Sequence, residues 1–235
     1  MEPYARETTF GRSVAEAAPA LRAAFIRKTY AHLALALLSF IVLEAVLLHS
    51  PLAPLLTEEM TGGQFSWLIV QGLAMLGTWQ GNTWANAREN IALQYMGLAV
   101  YVIIYALIFL PLMLIAVTYY PGVIFDAAVM TGALFLGLSA TVFLTRKDFS
   151  FLGPIVAIGG LIALGVIVAA IFTGFSLGIV FSAVVVALMA ASILYTTSNM
   201  LHHYQPGQHV AASLQLCAAL LTMFWYILRI FMSRR

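Results

Sequence analysis

The sequence predicts an all-α integral membrane protein, a bundle of seven transmembrane helices, and three observations carry that expectation. The chain has 235 residues, of which 63% are hydrophobic and 9% charged, against about 25% charged in a soluble domain. Its apolar residues fall in uninterrupted blocks close to the roughly 20 residues that a helix needs to cross the hydrocarbon layer. The short alternating segments of a membrane β-barrel are missing, and within lipid only helices or a closed barrel satisfy the backbone.

Residues 1–26 read as an N-terminal tail. They are polar and alanine-rich, carry Arg6, Arg12 and Arg22, and lack a short apolar core followed by a small-residue cleavage site, so the first span is expected to be an uncleaved anchor. Residues 27–235 form one domain holding the spans Ala31–His49, Phe65–Trp84, Ile91–Val117, Val123–Leu144, Leu152–Phe172, Leu177–Met200 and Val210–Phe231. The second, with Gln71, Thr78 and Gln80, is the most polar. The seventh carries Ser213, Gln215 and Thr222, which suits either a crossing shielded from lipid or a re-entrant hairpin.

Orientation follows from the basic residues, because cytoplasmic loops retain Lys and Arg. The tail and first helix hold Arg6, Arg12, Arg22, Arg27 and Lys28; the second loop holds Arg88, and the fourth Arg146 and Lys147. The first, third and fifth loops hold none, and the first adds Glu58 and Glu59. The N-terminus is therefore expected in the cytoplasm. Seven crossings place Arg229, Arg234 and Arg235 outside, a conflict that a re-entrant end would remove.

Motifs of catalysis are missing: no HExxH, no GxSxG, no phosphate-cradling glycine loop. The expectation is no enzyme, no catalytic residue and no cofactor. His202, His203 and His209 share one loop, but no Cys, Asp or Glu lies within it, so a solvated or headgroup-facing loop is favoured over a metal site. Cys217 is the single cysteine and reads as a small core residue. Acids within spans are functional candidates by default. Glu44 and Asp126 read as interfacial or helix-terminal, with an ion path as the alternative, and Asp148 reads as a salt-bridged turn residue or helix cap. Ala133, Gly137 and Thr141, spaced by four, read as a close helix-packing face. The tail mixes Glu2, Glu7 and Glu16 with its arginines, which excludes nucleic acid and leaves weak attraction to anionic lipid.

Three stretches carry a resemblance: "FIRKTYAHLALAL" at the first span, "TRKDFSFLG" after the fourth and "ILYTTSNMLHH" closing the sixth. Together they resemble the transmembrane Bax-inhibitor-motif (Bax inhibitor-like) family over nearly the whole chain after about residue 22, and "TSNMLHH" is most similar to its bacterial YccA-like branch. The resemblance implies a seven-helix bundle with the last helix central. It also implies one of two activities. The first is a pH-sensitive calcium leak, in which acids on the sixth and seventh helices share a proton and bond to an arginine in the second. Here the matching positions hold Thr196 and Ala219, and the second span offers only Gln71 and Gln80. The second activity is therefore expected: a bacterial inner-membrane regulator, in membrane protein quality control, that associates with and restrains a membrane-anchored ATP-dependent AAA protease. Residues 1 to about 22 would be the protease's handle, and a tightly packed bundle would resist extraction. A calcium or other cation leak through Glu44, Asp126 or the polar spans is the alternative.

Overall fold

The computed structural model describes residues 14, 17–63, 65–87, 90–205 and 207–234. Most of the tail, including Glu2, Arg6, Glu7, Arg12 and Glu16, lies outside the described residues, as do Arg88 and Arg235.

The described residues form eight helices: α1 (Pro19–His49), α2 (Leu52–Thr61), α3 (Ser66–Ala85), α4 (Ile91–Tyr119), α5 (Val123–Thr145), α6 (Leu152–Thr173), α7 (Ile179–His202) and α8 (His209–Met232). Six of them, α1 and α4 to α8, are long and apolar enough to cross a membrane. The second expected span is the 20-residue α3, which its glutamines, Thr78 and Asn82 keep out of that set. The sequence reading has no counterpart for α2, a short helix in the first loop.

The tail boundary expected at residue 26 is not a boundary of the fold. Helix α1 starts at Pro19, whose ring presets φ for a helix and whose missing N–H would find no partner in a first turn. Arg22, Arg27 and Lys28 thus belong to α1. Asn90 caps α4, its side chain accepting the Leu93 N–H at 3.1 Å. Helix α6 ends on Gly174, whose φ of 69° is left-handed and open to glycine without a Cβ penalty. Arg146 takes the same left-handed conformation at the end of α5, with φ 52°, and its N–H closes on the Val142 carbonyl at 2.8 Å.

Helix α8 is the core. It packs against α1, α4, α5 and α7 and touches α3, and Leu214, Leu216, Met223 and Leu228 on it are wholly buried. Phe109 of α4 ties the surroundings together, with ring centroids 5.1 Å from Phe40, 4.8 Å from Trp225 and 6.0 Å from Phe224. Helix α3 runs antiparallel to α4, and the two backbones meet at glycine: a Cβ on Gly97 would collide with the Gly81 carbonyl and sit 2.7 Å from the Ala85 nitrogen. Helix α6 leans on α7.

The close-packing face expected on α5 is corrected by the structure. Ala133, Gly137 and Thr141 are exposed, and a Cβ on Gly137 would meet nothing. The helix instead buries Val123, Ala127, Thr131, Phe135, Ser139 and Val142, a stripe two residues further round. Small residues permit close approach without specifying which neighbour approaches.

Candidate functional site

Helices α7 and α8 are antiparallel neighbours, and they bring Thr196 and Ala219 to one cavity of about 480 Å³. Both residues are buried, Thr196 at 2% exposure and Ala219 at 3%. The polar wall comes from Thr78 and Asn82 on α3, Ser192 and Thr196 on α7, and Gln215 and Thr222 on α8, with Tyr101, Tyr195 and Trp79 as aromatic sides. No carboxylate, amine, guanidinium or imidazole lines it among the described residues. Because α3 packs on α4 and not on α7, the cavity opens sideways between α3 and α7, where its rim residues Met75 and Trp79 are largely exposed. Chemically, this wall can donate and accept neutral hydrogen bonds. It cannot share a proton between acids or neutralise a cation.

One end of the bundle gathers Arg22, Arg27, Lys28, Arg146 and Lys147, with Arg229 and Arg234 at the opposite end, and it fastens the chain. The Tyr204 hydroxyl donates to Gln215 Oε1 at 2.8 Å, which connects the α7–α8 loop to the cavity wall. Burial pushes that hydroxyl's pKa well above the usual tyrosine value. The Tyr204 carbonyl accepts the N–H of buried Val14 at 2.7 Å, the Val14 carbonyl accepts Arg22 Nε at 3.1 Å, and the rings of Phe25 and Tyr204 lie 6.3 Å apart. The segment before α1 is thereby clipped to the loop.

The two stretches "TRKDFSFLG" and "ILYTTSNMLHH" meet each other at the same end. Ser198 accepts the Phe149 N–H at 2.8 Å and donates to Asp148 Oδ1 at 3.3 Å. Asp148 also accepts the Ser150 N–H at 2.8 Å and lies 3.5 Å from His203 Nε2, while His202 Nδ1 donates to the Ser198 carbonyl at 2.9 Å. The Ser150 backbone N–H, above all, holds the Asp148 carboxyl below the usual carboxylate range, with His202 and His203 adding to it. The Asp148–His203 pair is half exposed, so its strength is modest.

His209 lies elsewhere. It starts α8, buried, with its ring 4.9 Å from that of His32 and its Nδ1 without a partner. His32 in turn bonds the Lys28 carbonyl at 2.7 Å and the Tyr95 hydroxyl at 2.8 Å; the carbonyl can only accept, so the proton sits on Nδ1. The three loop histidines are therefore split between two clusters, and no three metal-ligating side chains converge among the described residues.

Glu44 departs from its interfacial expectation. It continues the buried stripe Phe25, Thr29, Leu33, Ala36, Phe40 at a spacing of three or four, is 2% exposed, and has both carboxylate oxygens without a hydrogen-bond partner. Asp126 is exposed in the first turn of α5. Sequence reasoning missed Asn82, Val14, Tyr204 and His32 as participants. Asn82 carried a usable signal, being one more polar side chain in a span already rich in them. The Val14 contact is a backbone bond and carries none.

Comparison with known proteins follows the same pattern. Residues 22–235 match the profile of the family described as inhibitor of apoptosis-promoting Bax1. The chain is 25% identical over 224 residues to protein lifeguard 4 of Mus musculus, a match covering 94% of this chain and 89% of that protein. It is 36% identical over 101 residues to the modulator of FtsH protease YccA of Escherichia coli K12, covering 43% of this chain and 46% of the relative. An uncharacterized protein of Pseudomonas aeruginosa is 36% identical over 111 residues, 47% of this chain and 50% of the relative. The chain thus spans about half the length of these two bacterial relatives.

Proposed function

The chain belongs to the Bax inhibitor family, and from that membership we propose that it is a multi-pass protein of the bacterial inner membrane that associates with and restrains a membrane-anchored ATP-dependent AAA protease. Support comes first from the E. coli relative, named a modulator of FtsH protease, over 43% of this chain. The observation that carries the choice is the uncharged cavity. Thr196 and Ala219 leave it no proton-sharing acids, which withdraws the chemistry of the calcium-leak reading.

In the proposed arrangement the basic end is cytoplasmic and α3 counts as a seventh crossing. Helices α1 and α4 run in the same direction, so the chain must return between them, and α3 runs antiparallel to α4. A protease that seizes residues 1–13 and pulls would first meet the Val14–Tyr204 clip and then α1, held between α4 and α8. Slow extraction would keep the protease occupied. Glu44 favours the rival reading of a pH-sensitive cation leak, because its unpartnered carboxylate is the kind of buried acid such a path would use.

The test is affinity purification of the full chain from native bacterial membranes, paired with calcium entry into dye-loaded liposomes between about pH 6 and 8, the range a raised carboxylate pKa would bring into play. A protease subunit should co-purify, and wild-type entry should be small and pH-independent. Deleting residues 2–12 should lengthen the protein's lifetime in cells. Recovery of no protease, together with robust acid-suppressed calcium entry, would reverse the choice.

A further inference from the structure

We propose that the cavity between α3 and α7 binds an uncharged, hydroxyl-bearing lipid, a monoacylglycerol or diacylglycerol, with its polar group on the wall and its acyl chain leaving through the sideways opening. The inference goes beyond protease restraint and does not depend on it.

The first argument is charge. A phosphate or ammonium headgroup entering this space would lose its water and meet no counter-charge, because none lines the cavity among the described residues. An isolated ion in such a place is heavily penalised. A glycerol hydroxyl loses far less and can be repaid in kind.

The second argument is unmet hydrogen bonding. Ser192 and Thr196 make no side-chain hydrogen bond among the described residues, although Thr196 is 2% exposed. Gln215 uses Oε1 on Tyr204, and Asn82 uses Oδ1 on Asn86 at 3.4 Å, so on these two lining side chains the amide NH₂ groups are the donors left over among the described residues. Lipid tails offer these groups nothing. Glycerol hydroxyls both donate and accept, so they suit a wall that mixes hydroxyls with amide donors.

The third argument is access. The opening faces outward between two helices that do not pack, with Met75 and Trp79 on its rim and Val156 of α6 beside it. The volume of about 480 Å³ suits one small ligand rather than a helix. A ligand that enters from the hydrocarbon layer needs a long apolar part, which separates an acylglycerol from a free sugar or polyol.

Trp79 supplies the readout. The full chain, with Trp67, Trp84 and Trp225 changed to Phe, is reconstituted in phosphatidylcholine vesicles and titrated with bromine-labelled monooleoylglycerol or bromine-labelled phosphatidylglycerol. The neutral probe should quench Trp79 saturably, at a mole fraction about fivefold or more below that of the anionic probe, the factor carried by one neutral hydrogen bond. Ser192→Leu, which fills the wall, should raise that half-point by a similar factor without changing thermal unfolding. Retention of unlabelled monooleoylglycerol by the unmodified chain in native mass spectrometry, lost in Ser192→Leu, gives the same answer without the tryptophan replacements. Equal, non-saturating quenching by both probes would mean ordinary lipid contact and overturn the proposal. So would indifference to Ser192→Leu, or a saturable response of Trp79 to calcium in place of the neutral lipid.

Discussion

Helices α6 and α8 are nearly equal in length, and the more apolar one is outside. Helix α6 is the most apolar of the six long helices, and none of its most apolar stretch is buried; α8 is the least apolar, and 72% of that stretch is buried. In water the order would be the reverse. In a bilayer the tails are as apolar as leucine, so hydrophobic burial no longer sorts helices, whereas a polar side chain facing lipid has nothing to bond. Ser213 of α8 donates to the Val210 carbonyl at 2.7 Å, Gln215 accepts from Tyr204, and Thr222 lies 3.4 Å from the Tyr105 hydroxyl. Polarity marks the centre of this bundle. Helix α4 shows that the rule is one-sided, since it is almost as apolar as α6 and yet 44% of its stretch is buried.

The comparison breaks most easily at glycine. Gly97 of α4 faces the Gly81 carbonyl, the Ala85 nitrogen and, at 3.0 Å, the Trp84 Cβ, while a Cβ on Gly160 of α6 meets nothing. Gly97→Ala should cost about 3 kcal/mol, the upper end for overpacking, because the atoms in the way are mostly backbone and cannot turn aside. Gly160→Ala should be neutral or stabilise by up to about 1 kcal/mol, the helix-propensity difference. Unfolding in detergent mixtures by sodium dodecyl sulfate titration measures both. Equal effects would mean that α3 does not engage α4 as closely as the structure describes.

Leucine sharpens the comparison with chemistry held constant. Leu216 of α8 is wholly buried and Leu161 of α6 is 71% exposed. In lipid the transfer part of a Leu→Ala penalty disappears, because the unfolded side chain is also in hydrocarbon, and the cavity part remains at about 24 cal/mol per Å³. A void of roughly 80 Å³ then gives about 2 kcal/mol for Leu216→Ala. Leu161→Ala should stay within about 0.5 kcal/mol of wild type. A large loss at Leu161, read in the same titration, would show that α6 has a partner that covers it.

These contrasts explain what the sequence could and could not reveal. Span α6 is read from the sequence as Leu152–Phe172 and forms as Leu152–Thr173, because a long apolar block between polar loops admits one solution. The polar face of α8 likewise announces a shielded helix. Rotation is harder. Ala133, Gly137 and Thr141 satisfy a packing pattern and face outward, since in the absence of known neighbours another stripe of the same helix can be buried equally well, as the one from Val123 to Val142 is. Glu44 was legible in principle: continuing the stripe from Phe25 to Phe40 lands on it, but proximity to the membrane surface suggested an interfacial role instead. Helix α2 is too short for a periodicity to stand out. The cavity needs α3, α4, α6, α7 and α8 together; of its lining, the sequence pairs only Thr196 with Ala219, which lie equally far from Gly207 and Gln208 in the α7–α8 turn and so at similar depth on antiparallel helices.

The smallest effect concerns how the outlying helix is fastened. Helix α6 begins immediately after the loop in which Asp148 and Phe149 bond Ser198 of α7, so that cluster is its polar anchor, in contrast to α8, which the bundle surrounds. Asp148→Asn keeps an acceptor for the Ser150 N–H and removes only the charge. The Asp148 carboxyl lies below its usual range in the folded protein, and a group depressed on folding contributes stability above its unfolded value, about 3.9, that is lost as pH falls through its folded value. Wild type should exceed Asp148→Asn by well under about 1 kcal/mol, as half-exposed pairs do, with the difference present at neutral pH and shrinking as pH falls below about 3.9. Unfolding of both proteins across that range decides the matter. An advantage that does not vary with pH would show that Asp148 serves as a hydrogen-bond acceptor alone, and that the charge in "TRKD" contributes nothing to holding α6 in place.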